Sequence, residues 1–269
     1  RITVSHSILI CGVLLMIVPL WLVFASSTHS NSFIYNEGMQ WKIGGEFFDN
    51  YDRVLNRKGG FTKEITASGI FYNSFIMAFG IASLSVFVSM MAAYSLVYFK
   101  TRFSTLFFWL IFVTLLVPLE LRILPSYQIV SDLNLLNSYA GLILPLSASA
   151  IATFFFRQYY RSIPEELLEA AKLDGANSWK FFIDFLVPLS KTMIAAMFIF
   201  MFVYGYNQYL WPLIMTTSEK YWTVVMGLKM IYGGNSVDRY TYVILSLIPP
   251  VIIIVFLQRL FIQGLFQSK

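Results

Sequence analysis

SIPEELLEAAKLDGANSWKFFIDFLVPLSK, Ser162 to Lys191, is a polar island in an apolar chain, and its punctuation predicts two short helices joined at a glycine. Pro164 suits a first helical turn, and Glu165 and Glu166 favour the positive end of the helix dipole. Leu167, Leu168, Ala170, Ala171 and Leu173 are good helix formers. Gly175 stands where a residue tolerant of positive φ stops a helix. Asn177 or Ser178 can cap a second helix running through Trp179, Phe181 and Phe182, with Pro188 expected to end it. A mere spacer needs none of this. An alanine-rich helix ringed by Glu165, Glu166 and Glu169 suits insertion into a groove on another protein. The blander alternative is an amphipathic helix resting on lipid headgroups.

Around this island the chain is 58% hydrophobic and only 12% charged over 269 residues. Soluble domains carry about 25% charged residues, so lipid must replace water as solvent over much of the surface. No Asp, Glu, Lys or Arg occurs in residues 2–36, 65–99, 103–119, 133–156, 192–218 or 240–258. A helix crossing the hydrocarbon core needs about 20 apolar residues. The runs predict an all-α polytopic membrane protein with about six spans, near 4–26, 69–99, 104–127, 139–160, 189–215 and 239–262. Pro19 is a tolerated kink, and Pro118 and Pro125 break the third span. The 27–68 segment reads as a polar loop turning at Gly44-Gly45 and Gly59-Gly60, with further loops at 128–138 and 216–238. Ile8 to Ala25 is longer than the apolar core of a typical cleaved signal, so the first run is expected to be retained as a span.

Basic residues set the orientation. With the N-terminus inside, the inner segments hold ten basic residues (Arg1, Lys100, Arg102, Arg157, Arg161, Lys172, Lys180, Lys191, Arg259 and Lys269) and five acidic ones, against nine of each outside. The tight Lys100-Thr101-Arg102 connection is the cleanest vote. Both termini and the 161–188 loop are then cytoplasmic, and 27–68 is periplasmic.

Several chemistries find no support. Cys11 stands alone, and His6 and His29 flank one apolar run, so no metal-ligand set is present. There is no phosphate-binding loop ending in Gly-Lys-Ser/Thr. No acid, base or metal cluster converges at membrane depth, so no catalytic residue and no cofactor is expected. The net charge of +5 points to phospholipid headgroups rather than nucleic acid. A membrane enzyme or a stand-alone channel is the alternative of another class, and a channel has no use for the 162–188 loop.

Glu169-Ala170-Ala171, then Gly175, Ile183 and Pro188, resembles the EAA motif of ABC-importer permeases. Asn73-Ser74 looks like that family's Asn-Ser, and Asn207-Gln208-Tyr209-Leu210-Trp211-Pro212-Leu213 looks like the Trp-Asn-Glu-x-Leu-x-Pro segment of its carbohydrate-uptake type. A narrower resemblance, to permeases of glycerol-3-phosphate importers, is carried by the segments 117–125, 137–142 and 204–209. The resemblance implies one MetI-like ABC type-1 transmembrane domain over 1–269, in a bacterial inner membrane. It implies as partners a second, A-type permease subunit, two ATP-binding cassette subunits that hydrolyse the ATP, and an extracytoplasmic solute-binding protein. Glu165, Glu166, Glu169, Ala170, Ala171, Asp174 and Gly175 would form the ATPase-docking contact.

The cargo implied is sn-glycerol-3-phosphate or a glycerophosphodiester, the alternative a maltose-type oligosaccharide. Arg122, near the outer end of span 3, suits a phosphate oxygen pair. It could equally snorkel to the interface or pair with Glu120. Gln208 stands where sugar permeases usually have Glu, and its lack of negative charge favours an anionic cargo. Tyr206, Asn207 and Gln208 join Arg122 as pathway candidates, although Asn207 and Gln208 could simply hydrogen-bond between helices. Tyr204, Tyr206, Tyr209 and Trp211 could line the pathway or anchor the interface.

Overall fold

The computed structural model describes residues 2–59, 63–99, 101–230 and 235–266. Gly60 and the orientation votes of Arg1, Lys100 and Lys269 lie outside the described residues. The first helix, α1 (Ile2–Ser27), accommodates Pro19 and is followed by α2 (Asn31–Glu37) and α3 (Phe47–Asn56). A two-residue antiparallel pair, β1 (Lys58–Gly59) with β2 (Ile65–Thr66), leads into α4 (Ala67–Tyr98). Then come α5 (Ser104–Val113), α6 (Leu119–Asp132), α7 (Tyr139–Ile143), α8 (Ala150–Arg161) and α9 (Glu165–Leu173). The chain continues through α10 (Ser178–Phe181), α11 (Val187–Leu189), α12 (Lys191–Tyr206), α13 (Leu210–Met215), α14 (Val224–Met230) and α15 (Ser236–Phe266).

Among the described residues, three helices are long and apolar enough to cross a membrane, and the number rises to six if each of three bent helix pairs counts as one span. Exposed Ile8, Leu9, Leu15 and Met16 on α1, and Val251, Ile252 and Phe256 on α15, place apolar surface where water would be costly and lipid is not. The third span breaks at Pro118, as expected. Pro125, by contrast, is absorbed inside α6. The fifth does not run unbroken from 189 to 215: α12 ends at Tyr206, and Asn207, Gln208 and Tyr209 separate it from α13. The polar pair at 207–208 cannot be left inside hydrocarbon, and unwinding puts it where other polar groups lie.

The chain forms two compact units, Arg1–Asn73 with Trp222–Pro249, and Ser74–Tyr221 with Pro250–Lys269. In the first, the expected 27–68 loop is largely ordered. Buried Ser26 and Thr28 at the end of α1 accept the backbone amides of Gln40 and Gly44, at 2.9 and 2.7 Å, which straps the following segment down. Tyr51 of α3 meets Ser27 at 3.0 Å, and burial raises its phenol above the ordinary value while that hydrogen bond works against the rise. Asp238, at the start of α15, takes Arg53 at 2.8 Å and Arg57 at 2.5 Å, and Arg53 also donates to Asn50. Asn50 in turn donates to the carbonyls of Ser27 and His29. One buried carboxylate thus ties α3 and the end of α1 to α15.

Asp238→Ala removes both ion pairs but leaves two arginines that reach water. The expected cost is therefore about 1–2 kcal/mol rather than the larger cost of a stranded buried charge. Thermal unfolding in detergent should show a midpoint lower by about 2–4 °C; an unchanged midpoint would rule out this carboxylate as a structural tie.

In the second unit, Gly205 of α12 meets α4 so closely that a Cβ there would lie 3.2 Å from Ala78 Cα. Small residues let these two helices approach backbone to backbone. Trp211 is 1% exposed and donates from Nε1 to the Leu142 carbonyl at 3.2 Å, fixing α13 against α7. Asn137, at positive φ, accepts the amides of Thr217 and Ser218 at 2.8 Å and stitches the end of α13 to the turn after α6.

Candidate functional site

The segment after α8 folds as its punctuation predicts, with more structure. Pro164 sits one residue earlier than expected, at the N-cap of α9. The helix is closed by Gly175 at φ +76°. The amide of Gly175 donates to the Lys172 carbonyl at 3.0 Å and that of Ala176 to the Ala171 carbonyl at 2.9 Å. Those two bonds form a Schellman closure, which satisfies the last carbonyls of the helix. Asn177 rather than Ser178 then caps α10, its side-chain oxygen accepting the Lys180 amide at 2.8 Å.

The second helix continues past Phe181 through a π-helical turn, Phe182–Leu186, into α11. Pro188 lies within this stretch instead of ending it. The chain turns by 76° between Leu189 and Lys191, where buried Ser190 donates to the Leu186 carbonyl at 2.6 Å. The π turn adds one residue to the register and so rotates the faces beyond it.

Aromatic groups hold this unit from beneath. Tyr94 of α4 donates to the Ser178 carbonyl at 2.7 Å and packs 5.2 Å from Phe182, and Tyr98 meets Phe181 edge-on at 5.4 Å. Tyr159 of α8 donates to the Leu189 carbonyl at 2.6 Å. Phe181, Phe182 and Leu186 are buried in one cluster with Tyr94, Phe156 and Tyr160. Each such side chain contributes about 1.5–3 kcal/mol by burial, so the segment is a supported platform.

That support divides the residues expected to dock. Ala171 is 1% exposed and faces the cluster, with Leu168 half-buried beside it, one helical turn being enough to point 168 and 171 the same way. Glu165, Glu166, Glu169, Ala170, Asp174 and Gly175 are exposed. Leu173 is 89% exposed and Trp179 53%. Both are apolar side chains standing bare beside the carboxylates of this segment.

A second feature lies in the same unit, a cavity of about 380 Å³ lined by Arg122 and Glu120 of α6, Tyr204 of α12, Gln208 of the break, Thr114 and Ser149. It brings together Arg122 and Gln208, 86 positions apart in the chain. Gln208 Nε2 donates to the Tyr204 carbonyl at 3.3 Å, and the charges of Arg122 and Glu120 both reach the Tyr204 phenol. Arg122 makes no ion pair among the described residues. A guanidinium exposed in a partly apolar hollow, with an amide and a phenol nearby, can hold an oxyanion by charge-assisted hydrogen bonds. Asn207 and Gln208 also border a shallower hollow with Val203 and Phe200.

Tyr206 is not in either hollow; it is 4% exposed and stacks on Phe202 at 5.9 Å. Trp211 is likewise interior. Thr114 and Ser149 escaped the sequence reading. Ser149 had a legible signal: it caps α8 by accepting the Ala152 amide at 3.2 Å, in a Ser-Ala-Ser run that interrupts the fourth span. Asn73, paired with Ser74 in the sequence reading, is buried and donates to the Trp222 carbonyl at 3.0 Å, a structural tie rather than part of the cavity.

Residues 85–267 match the family described as binding-protein-dependent transport system inner membrane component. The sn-glycerol-3-phosphate transport system permease protein UgpE of Yersinia pestis bv. Antiqua is 43% identical over 270 residues, covering 98% of this chain and 95% of that protein. Its namesake from Escherichia coli (strain K12) is 42% identical over 270 residues, covering 98% and 96%. The solved structure of a bacterial ABC transporter involved in the import of the acidic polysaccharide alginate superposes with a TM-score of 0.76 at 22% identity, covering 96% of this chain and 95% of that one.

Proposed function

The chain belongs to the family of binding-protein-dependent transport system inner membrane components, and from that premise we propose that it is the permease subunit of an importer for sn-glycerol-3-phosphate or a related glycerophosphodiester. The observation that carries the cargo is its 42–43% identity, over nearly its whole length, to permeases named for that substrate. Arg122 in the cavity with Gln208 supports it: the guanidinium supplies a fixed cation for a phosphomonoester, and the neutral amide of Gln208 adds no negative charge to that of Glu120, which shares the lining.

In this reading the whole chain acts as one transmembrane domain and pairs with a second, different permease to enclose the pathway. Two ATP-binding cassette subunits hydrolyse the ATP, and an extracytoplasmic solute-binding protein delivers the cargo. The 161–188 loop and both termini face the cytoplasm, a reading supported by the excess of basic residues on that side. The ATPase grips α9 along Glu165, Glu166, Glu169 and Ala170, with Asp174 and Gly175 shaping the end of the contact. Because Tyr94, Tyr98 and Tyr159 bind the following helix to α4 and α8, motion of the gripped helix is passed to the spans rather than lost in a slack loop. No residue of this chain performs catalysis.

Co-expression with the other permease, the ATPase and the binding protein, followed by uptake of radiolabelled glycerol-3-phosphate into proteoliposomes, tests the proposal. ATP-dependent accumulation is expected, with an ATPase pair and one different permease copurifying. Uptake of a neutral oligosaccharide in place of glycerol-3-phosphate overturns the cargo.

A further inference from the structure

A hollow of about 300 Å³ lies at the end of α8, apart from the Arg122 cavity and bordered on one side by Glu165 at the start of the docking helix. Arg157 and Arg161, one helical turn apart, both line it, with Tyr98 of α4 and Leu168 of α9 among its walls. The guanidinium carbon of Arg157 sits 3.8 Å from the centroid of the Phe108 ring, and its Nε is buried with no hydrogen-bond partner. The two arginines lie close enough to feel each other's charge. Neither makes an ion pair among the described residues. Glu165 also lines the hollow, so its net formal charge is positive by one.

Arg157 is the first charge after the uncharged run 133–156. It therefore stands where hydrocarbon gives way to headgroups. A cation at that depth with an unused donor is expensive unless an anion meets it. On the α5 side, Phe107 and Leu110 are more than half exposed and offer apolar surface to a chain lying alongside. We infer that this hollow seats the phosphate of an anionic phospholipid, such as phosphatidylglycerol, from the leaflet on the docking-loop side, its acyl chains lying against α5. A free phosphate shares the headgroup's chemistry but makes no use of that apolar surface. Because α4, α8 and α9 all border the hollow, the bound lipid braces the root of the docking helix.

The test is native mass spectrometry of the assembled transporter, counting phosphatidylglycerol retained through mild detergent. Wild type is compared with Arg161→Gln, Arg157→Gln, the double variant, and the matching lysine substitutions. One cation near a membrane surface is worth about a fivefold change in binding of an anionic lipid. Retention should fall about fivefold per glutamine and be largely preserved by lysine. Arg161 is exposed, so Arg161→Gln decides the matter even where Arg157→Gln fails to assemble. A parallel titration with radiolabelled inorganic phosphate separates the two sources of the anion. Equal lipid retention in wild type and Arg161→Gln overturns the inference. So does saturable binding of inorganic phosphate that these variants abolish while lipid retention holds.

Discussion

Reversing the charge at Glu169 is expected to cut ATP-driven uptake by about tenfold or more while the chain still inserts and reaches its normal level in the membrane. Glu169 is exposed on α9, so the substitution touches no core contact, and surface changes of this kind usually shift stability by no more than about 0.5 kcal/mol. Its effect falls instead on the partner. Placing like charges opposite one another across an interface costs several kcal/mol, and 1.4 kcal/mol is already a factor of ten. Glu169→Gln, which removes attraction without adding repulsion, should lie between wild type and Glu169→Lys. Gly175→Val attacks the same contact through the backbone. At φ +76° a β-branched residue costs about 1–2 kcal/mol, and relaxing it opens the closure that ends α9. Uptake and ATPase copurification measured on both variants decide the question. Full uptake in Glu169→Lys and Gly175→Val together would mean that α9 does not carry the coupling.

The stop of α9 was readable because a glycine after a run of helix formers is a local signal, and the uncharged runs marked the spans because charge and hydrocarbon exclude each other. Each feature that escaped depends on a partner far along the chain. Nothing near Ala171 says that it faces Tyr94 and Phe181 while Ala170 faces outward; α4 decides that. Arg53 and Arg57 read as ordinary loop charges until Asp238, 185 and 181 positions on, pairs with them. The 27–68 segment looked like an open loop because its apolar residues are few, yet hydroxyls at the end of α1 capture its amides. The breaks at Ser190 and Asn207 show the same thing from within a span. Uniform hydropathy predicts one straight helix, but a polar pair with a cavity to face unwinds the backbone. For the site, the sequence pointed to Arg122 and Gln208 singly, and folding makes them neighbours. Tyr206 looked equivalent to Gln208 by position and is turned away by stacking on Phe202.

Arg122→Gln is expected to lower glycerol-3-phosphate uptake by about tenfold or more at low substrate, with assembly and basal ATPase activity unchanged. The side chain reaches solvent in the cavity and is in no ion pair among the described residues, so its removal leaves no buried partner unsatisfied and stability should move little. A charge-assisted bidentate contact to phosphate contributes about 1.5–3 kcal/mol, which sets the size of the loss. Arg122→Lys keeps the charge but not the fork and should recover part of the uptake. The companion substitution Gln208→Glu returns a negative charge to the facing wall. If the phosphate passes this point, Gln208→Glu should also depress uptake, and combined with Arg122→Gln it should leave transport of the anion close to background. An uncharged analogue such as glycerol, if it is carried at all, should be indifferent to both changes. A guanidinium that merely reaches for the interface predicts the reverse pattern, with Arg122→Gln nearly silent and Gln208→Glu acting alone through Tyr204. Dose–response curves for the four variants separate these outcomes, because loss of a binding cation raises the half-saturating concentration while a distorted helix break lowers the maximal rate.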